Sequence, residues 1–203
     1  MHGSRPNLLG RPPRRRRRPP ACCRSANPVL RHAPVPPGGD PGADPARAAG
    51  PVLDIGCGPG RLTAALHARG VDVLGLELVE QIPVRVRRAG APLLLGDVFG
   101  PLPRAGQWRS VLLADGNIGI GGDAVRLLCR ARELLCPQGQ VLCELQEAAA
   151  GQVRLEGLGT SSTWFSWALL GRSALPIAAA AAGLTVHESW SAQGRDVAML
   201  LPV

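Results

Sequence analysis

The chain has no lysine and no tyrosine, and only six aromatic residues in 203. None of those aromatics lies in residues 1–50, which instead hold eleven of the twenty prolines. A segment of that kind cannot bury enough apolar surface to offset its ordering entropy, so residues 1–49 read as a disordered Arg/Pro-rich tail. No C-x-x-C pair occurs among the six cysteines, and no histidines stand where they would complete a zinc site. A metal centre is therefore not expected, and reduced thiols in the cytoplasm are. No long apolar run is present either. The longest, residues 177–182, is far too short to span a bilayer, and no apolar segment follows the arginine run to make a secretory or twin-arginine signal.

Basic excess is also missing from most of the chain. The net charge of +8 arises wholly in residues 1–50, where ten arginines face two acids. Residues 51–203 are balanced at thirteen arginines and thirteen acids. The body of the protein thus lacks the basic footprint of a duplex-binding domain. Arg14, Arg15, Arg16, Arg17 and Arg18 are the one candidate contact for nucleic acid or another acidic surface. The bland readings are a solvated tail or upstream sequence from a misassigned start, since the Ala/Gly/Arg/Pro bias is that of GC-rich coding sequence.

From residue 51 the pattern alternates strand and helix. Strands are expected over 52–55, 71–76, 92–95, 111–114 and 140–145, with helices over 62–69, 81–88 and 123–135. Gly70 and Gly90 close the first two helices, and Pro137 stops the third. Two extended segments follow, over 153–158 and 163–169, then a short helix over 175–182. The chain ends in a strand hairpin, 184–190 and 196–201. Short buried strands separated by helices imply a parallel sheet with right-handed crossovers. Residues 50–203 form the folded domain in this reading.

The richest stretch is Val52-Leu53-Asp54-Ile55-Gly56-Cys57-Gly58-Pro59-Gly60-Arg61. An apolar strand enters a loop with glycine at alternate positions, and a helix follows at once. Such a unit offers bare backbone, free N–H groups and a positive dipole end to a ligand. The dinucleotide fingerprint G-x-G-x-x-G would place its third glycine at position 61, which is Arg61. The spacing here is G-x-G-x-G, with Gly60 third.

That run resembles motif I of the class I S-adenosylmethionine-dependent methyltransferases, in the form D-x-G-C-G-P-G. The resemblance covers residues 51–203. It implies an α/β, Rossmann-like fold: a mostly parallel sheet with an antiparallel last strand and helices on both faces. It implies S-adenosyl-L-methionine as cofactor and methyl transfer by in-line displacement to a small-molecule acceptor. The family's pattern places the cofactor against Asp54, Gly56, Cys57, Gly58 and Gly60. Glu77, at the end of the second strand, takes the position that accepts the ribose hydroxyls. Asp97 and Val98 take the positions that meet the adenine amino group and ring. Cys57 is a small residue that fits the loop, not a nucleophile.

Asp115 and Asn117, after the fourth strand, face the methionine moiety or the acceptor in this reading, or serve only turn chemistry. They are weak catalytic candidates, and no residue stands out as a general base. The glycines around them, in the run 116–122, allow close approach of ligand or substrate backbone, and Asp123 caps the next helix. Trp164, Phe165 and Trp167 border an apolar acceptor or the sulfonium, or simply pack the inserted segment. His67 and His187 read as structural. Relatives often carry an N-terminal helical cover over the site, a place held here by the Arg/Pro tail. The alternative is a non-catalytic S-adenosylmethionine-binding module whose arginine tail contacts nucleic acid. The oligomeric state is left open by the sequence.

Overall fold

The computed structural model describes residues 47–48, 50–147, 151–153, 156–157, 160–161, 164–192 and 194–203. The expected tail therefore lies outside the described residues, apart from its last few positions. Two of these, Arg47 and Ala48, pack with the domain: Gln140 donates to the Arg47 carbonyl at 2.7 Å, and Ala48 is buried.

The chain builds one seven-stranded sheet in the order β10-β11-β5-β4-β1-β2-β3. Its strands are β1 (Val52–Ile55), β2 (Val73–Glu77), β3 (Leu93–Leu95), β4 (Trp108–Leu113), β5 (Leu135–Leu145), β10 (Leu184–Ala192) and β11 (Arg195–Pro202). The first five are parallel, while β11 runs antiparallel to both β5 and β10. Four short strands lie outside that sheet. β6 (Gly151–Val153) pairs with β9 (Phe165–Trp167), and β7 (Glu156–Gly157) with β8 (Thr160–Ser161). The mostly parallel sheet with an antiparallel last strand is the architecture expected from the sequence.

Alternation along the strands explains the layers. Leu53, Ile55, Val111, Leu113, Val141 and Cys143 face one side, with Val52, Leu112 and Leu142 on the other. Both faces are buried, as a parallel sheet requires. Helices α3 (Ala124–Leu134) and α4 (Leu175–Ala181) cover the first side. Helix α1 (Arg61–Ala68) covers the second through Leu66, and α2 (Val84–Arg88) adds Val86 beside Cys57 and Ala91. On α3, Leu127, Leu128, Ala131 and Leu134 form one wholly buried stripe. Each such leucine contributes about 2 kcal/mol of apolar burial.

Several boundaries differ from the sequence expectation, and β4 and β5 each begin earlier than expected, at Trp108 and Leu135. The helix expected over 81–88 starts only at Val84, with Pro83 as its N-cap residue. Proline disfavours helical backbone at the residue before it, so 81–82 stay in a turn. The helix expected to run to 135 ends at Leu134, and Leu135 is already extended. Pro137 does not simply follow the helix; it lies inside β5. There the pairing with β4 shifts register between Trp108↔Leu135 and Ser110↔Gln140, and a proline is tolerated in such an irregularity. The segments expected over 153–158 and 163–169 do pair, but as β6 with β9 and only over three residues each.

Candidate functional site

Strand order reverses between β1 and β4, so the carboxyl ends of both strands lie side by side, where the crevice of such a sheet forms. Open α/β sheets bind ligands at such a switch point. The loop 56–60 lies at its centre. Gly56, Gly58 and Gly60 all have positive φ, at 67°, 55° and 92°. The three glycines are needed for different reasons. A Cβ on Gly60 would strike the Val86 side chain and come within 2.8 Å of the Val86 nitrogen, so this glycine lets α2 dock. A Cβ on Gly56 would lie 2.9 Å from the Asn117 amide nitrogen. A Cβ on Gly58 would meet nothing nearer than the Gly56 carbonyl oxygen at 4.0 Å. Gly58 is thus where the loop presents its backbone to open space.

The loop is tied down on every side. Cys57 N–H donates to the Leu76 carbonyl at 2.9 Å, and Gly60 N–H closes a turn on the Cys57 carbonyl. The Asn117 amide nitrogen crosses from the end of β4 and donates to two carbonyls, Ile55 at 2.9 Å and Gly56 at 2.8 Å. Glu77, nearly buried at the end of β2, accepts from Gly58 N–H at 3.0 Å. Its other oxygen accepts from Leu78 and Val79 N–H at 2.8 and 3.0 Å. A carboxylate has about four acceptor sites, so these bonds leave about one for a ligand hydroxyl. Taking two would require Gly58 N–H to let go.

Asp54 is buried beneath the loop and accepts from the Thr63 hydroxyl at 2.6 Å. Burial pushes its carboxyl up to about 6, opposed by the Thr63 hydroxyl and reinforced by the negative charge of Asp115. Cys57 is pushed up to about 12, first by burial and then by Asp54 and Glu77. Its sulfur packs over Gly75, where a Cβ would stand 3.0 Å away, so the side chain points into the fold and stays a thiol. Only the backbone of Cys57 faces the crevice region.

Beyond β3, Asp97 accepts from Phe99 N–H at 2.9 Å, an Asx turn that leaves its second oxygen outward. Val98 is buried, and its carbonyl is held by Arg130 Nε at 2.9 Å, with Gly100 held by the same guanidinium at 2.7 Å. At the end of β4, Asp115 takes a left-handed φ of 53°. Its carboxylate meets Arg61 at 3.3 Å and Arg195 at 2.9 Å. Asp115 N–H donates to Glu144 at 2.9 Å, and Glu144 also faces Arg195 at 3.1 Å. Glu144, Arg195, Thr63 and Arg130 were not singled out from the sequence. Glu144 carried a signal, a lone charge within the apolar run 141–145. Arg195 carried none, since a charged residue at a hairpin tip is ordinary.

The glycine segment after β4 behaves differently from its expected role. The glycines expected to admit ligand instead admit the chain itself. A Cβ on Gly119 would strike the Ala168 carbonyl and the Trp167 indole, and one on Gly122 would meet Ser166 at 2.5 Å. On Gly121 it would meet the Phe99 ring at 2.8 Å. Gly119 and Gly122 form the seat of β9, and Ala168 N–H, just after that strand, donates to the Gly119 carbonyl at 3.0 Å. Phe165 and Trp167 are half-buried and stack edge-to-face at 5.8 Å. Trp164 is 61% exposed beside them. Asp123 caps α3 as expected, accepting from Arg126 N–H at 2.9 Å. No group of three or more metal-ligating side chains occurs among the described residues, and no described helix is long and apolar enough to cross a membrane.

The fold and the crevice together define the class I methyltransferase architecture, and solved structures agree. The chain is similar to a SAM-dependent methyltransferase from Bacteroides fragilis, solved with S-adenosyl-L-homocysteine (TM-score 0.65, 19% identity, covering 78% of this chain and 75% of that one). It is similar to the CcbJ methyltransferase of Streptomyces caelestis (0.59, 18% identity, 77% and 90% covered). It is also similar to the 1,6-didemethyltoxoflavin-N1-methyltransferase of Burkholderia thailandensis (0.56, 20% identity, 73% and 69% covered). No family model matches the chain, and no curated protein does. At these identities the likeness is one of fold: this is a Rossmann-like methyltransferase fold.

Proposed function

We propose that the protein is an S-adenosylmethionine-dependent methyltransferase acting on a small-molecule acceptor. The observation that carries this reading is the open backbone at Gly58, whose N–H is held by the Glu77 carboxylate. A ligand that approaches there meets a loop with no side chain in the way. It also meets one remaining acceptor site on Glu77, suited to a ribose hydroxyl, and the exposed carboxylate of Asp115, suited to an ammonium group. Those are features of S-adenosylmethionine, whose sulfonium would supply an electrophilic methyl carbon. Support also comes from the methyltransferases of similar fold that were solved with S-adenosylhomocysteine.

The protein's part in such a reaction is to align and to exclude water. Asn117 and Glu77 fix the loop that would fix the donor. The acceptor's lone pair would form the new bond to the methyl carbon as the carbon–sulfur bond breaks. The sulfur would keep the electron pair, and the methylated acceptor would shed its proton. Asp97 and Val98 at the end of β3 would meet the adenine, and Asp115 the amino-acid end.

Equilibrium titration with S-adenosylhomocysteine tests the reading. Saturable binding to the folded protein is expected. Glu77→Ala combined with Gly58→Val is expected to weaken it by at least roughly a hundredfold, as loss of a charged hydrogen bond and a steric block imply. No saturable binding, or unchanged affinity in the double variant, would overturn it.

A further inference from the structure

A cleft of about 410 Å³ opens beside the crevice, lined by Asp115, Glu144, Leu145, Gln146, Gly194 and Arg195. Its floor is a buried charge. The Glu144 side chain is only 4% exposed. A carboxylate buried at the end of a strand gains the fold little, because an apolar residue of like size is usually as stable there. Its partner comes from outside: Arg195 is 37% exposed and starts β11 at the hairpin tip, next to Gly194 with φ of 76°.

One nitrogen of that guanidinium bridges both carboxylates. Arg195 Nη1 lies 2.9 Å from Asp115 Oδ1 and 3.1 Å from both oxygens of Glu144. The cleft therefore contains a seat for a single cationic nitrogen, walled by two carboxylates. Asp115 is shared with the loop side, where it meets Arg61, the first residue of α1. A nitrogen in this seat would stand next to the end of the crevice where the methyl donor would lie. The lining holds two acids against one base; with Arg195 withdrawn, Arg61 still offsets Asp115, and Glu144 is the charge left for a cation.

We propose that this cleft is the acceptor subsite, that the acceptor presents an amine, and that Arg195 occupies the amine's seat in its absence. This rests on the methyltransferase reading and names its substrate class. An anionic acceptor would meet both carboxylates, and a neutral apolar one would leave Glu144 buried without a cation once Arg195 moved. An alkylammonium replaces the guanidinium nitrogen with the same charge and the same three oxygen contacts, and would pass a proton to the Glu144 carboxylate before its lone pair took the methyl group.

Butylammonium and butyrate are the probes, titrated by NMR into protein saturated with S-adenosylhomocysteine. Arg195→Ala empties the seat and is expected to bind butylammonium at least roughly tenfold more tightly than the original chain, the scale of a charged hydrogen bond. Butyrate is expected to bind neither. Glu144→Gln with Arg195→Leu removes both charges together, so it keeps the buried site neutral if Arg195→Ala proves unstable; it is expected to abolish butylammonium binding. Equal affinity for butylammonium in all three proteins, no saturable binding to Arg195→Ala, or preference for butyrate would overturn the proposal. Those results with S-adenosylhomocysteine binding intact would leave the methyltransferase reading standing. Loss of S-adenosylhomocysteine binding in the original chain would remove that reading instead.

Discussion

Two glycine-rich segments follow parallel strands in this chain, one after β1 and one after β4, and they differ at Gly58, the one glycine of the first loop that the chain's own atoms do not crowd. In the first, Gly58 faces open space, and no atom but a carbonyl of its own loop comes within reach of a Cβ. In the second, Gly119 and Gly122 are pressed against β9, and Gly121 against the Phe99 ring. Both segments have the positive φ values that glycine tolerates best. Glycine thus marks where something approaches the backbone closely. Whether that something is a ligand or the protein's own chain depends on what the fold brings there.

The comparison breaks most visibly at Gly119. In Gly119→Ala the new methyl group overlaps the Ala168 carbonyl and the Trp167 indole, and β9 must lift from its seat. Overpacking together with loss of the Ala168–Gly119 hydrogen bond should cost about 3 kcal/mol or more. In a domain of this size that lowers Tm by about 10 °C. Calorimetry checks it, and an unshifted Tm would mean that the segment after β4 is as open as the loop after β1.

Asp54 gives an effect of similar size under the first segment. Its carboxyl lies near 6 in the folded chain against 3.8 for the ordinary group. The protonated form is therefore favoured by folding. Its stabilising contribution is complete below pH 3.8 and is lost as pH rises through about 6. The swing is about 3 kcal/mol, taken from 1.36 kcal/mol for each pH unit of displacement. Asp54→Asn keeps an acceptor for the Thr63 hydroxyl but has no proton to lose. Urea unfolding of both proteins from pH 4 to pH 7 should show the variant gaining stability relative to the original as pH rises. A difference that stays constant with pH would show that burial does not perturb this carboxyl.

Asn117 links the two segments, since it belongs to the second and holds the first. Asn117→Ala leaves the Ile55 and Gly56 carbonyls without their side-chain donor and should cost about 2 kcal/mol. Asn117→Asp has nearly the same shape but offers only acceptors to two carbonyl oxygens, so it should be worse than alanine. S-adenosylhomocysteine affinity should fall in the same order. If aspartate were tolerated better than alanine, the amide would be a packing group and not a clamp on the loop.

The sheet was largely legible because its signals are local. Val52 to Ile55 is apolar except for Asp54 and buried on both faces, and Gly70 and Gly90 close their helices with φ of 73° and 63° as helix-ending glycines do. Pro83 and Pro137 were harder to place, because one proline can cap a helix, stop it or sit in an irregular strand. Near the site, the glycine loop after the first strand and the place of Glu77 at the end of the second were legible from the strand pattern. What Gly60 and Gly119 are for was not, because Val86 and Trp167 are remote in sequence and only the fold brings them near. Glu144 stands out as a lone charge in an apolar run, but its partner Arg195 lies 51 residues away in sequence, and only the pairing of β11 with β5 brings it near.

The smallest effect on stability is expected where the ligand effect should be large. Gly58→Ala meets no neighbour within ordinary contact, so its only cost to folding is the left-handed backbone at φ of 55°. That amounts to about 1 kcal/mol. Space that the folded chain leaves empty at Gly58 is the space a ligand would enter, and a methyl group there obstructs it. S-adenosylhomocysteine affinity should therefore fall by roughly tenfold or more, out of proportion to the small change in Tm. Gly119→Ala should show the reverse pattern, a large loss of stability and a smaller loss of affinity in the protein that remains folded. Equal ratios of the two losses in both variants would mean that the loop after β1, too, is kept bare only for the chain's own packing.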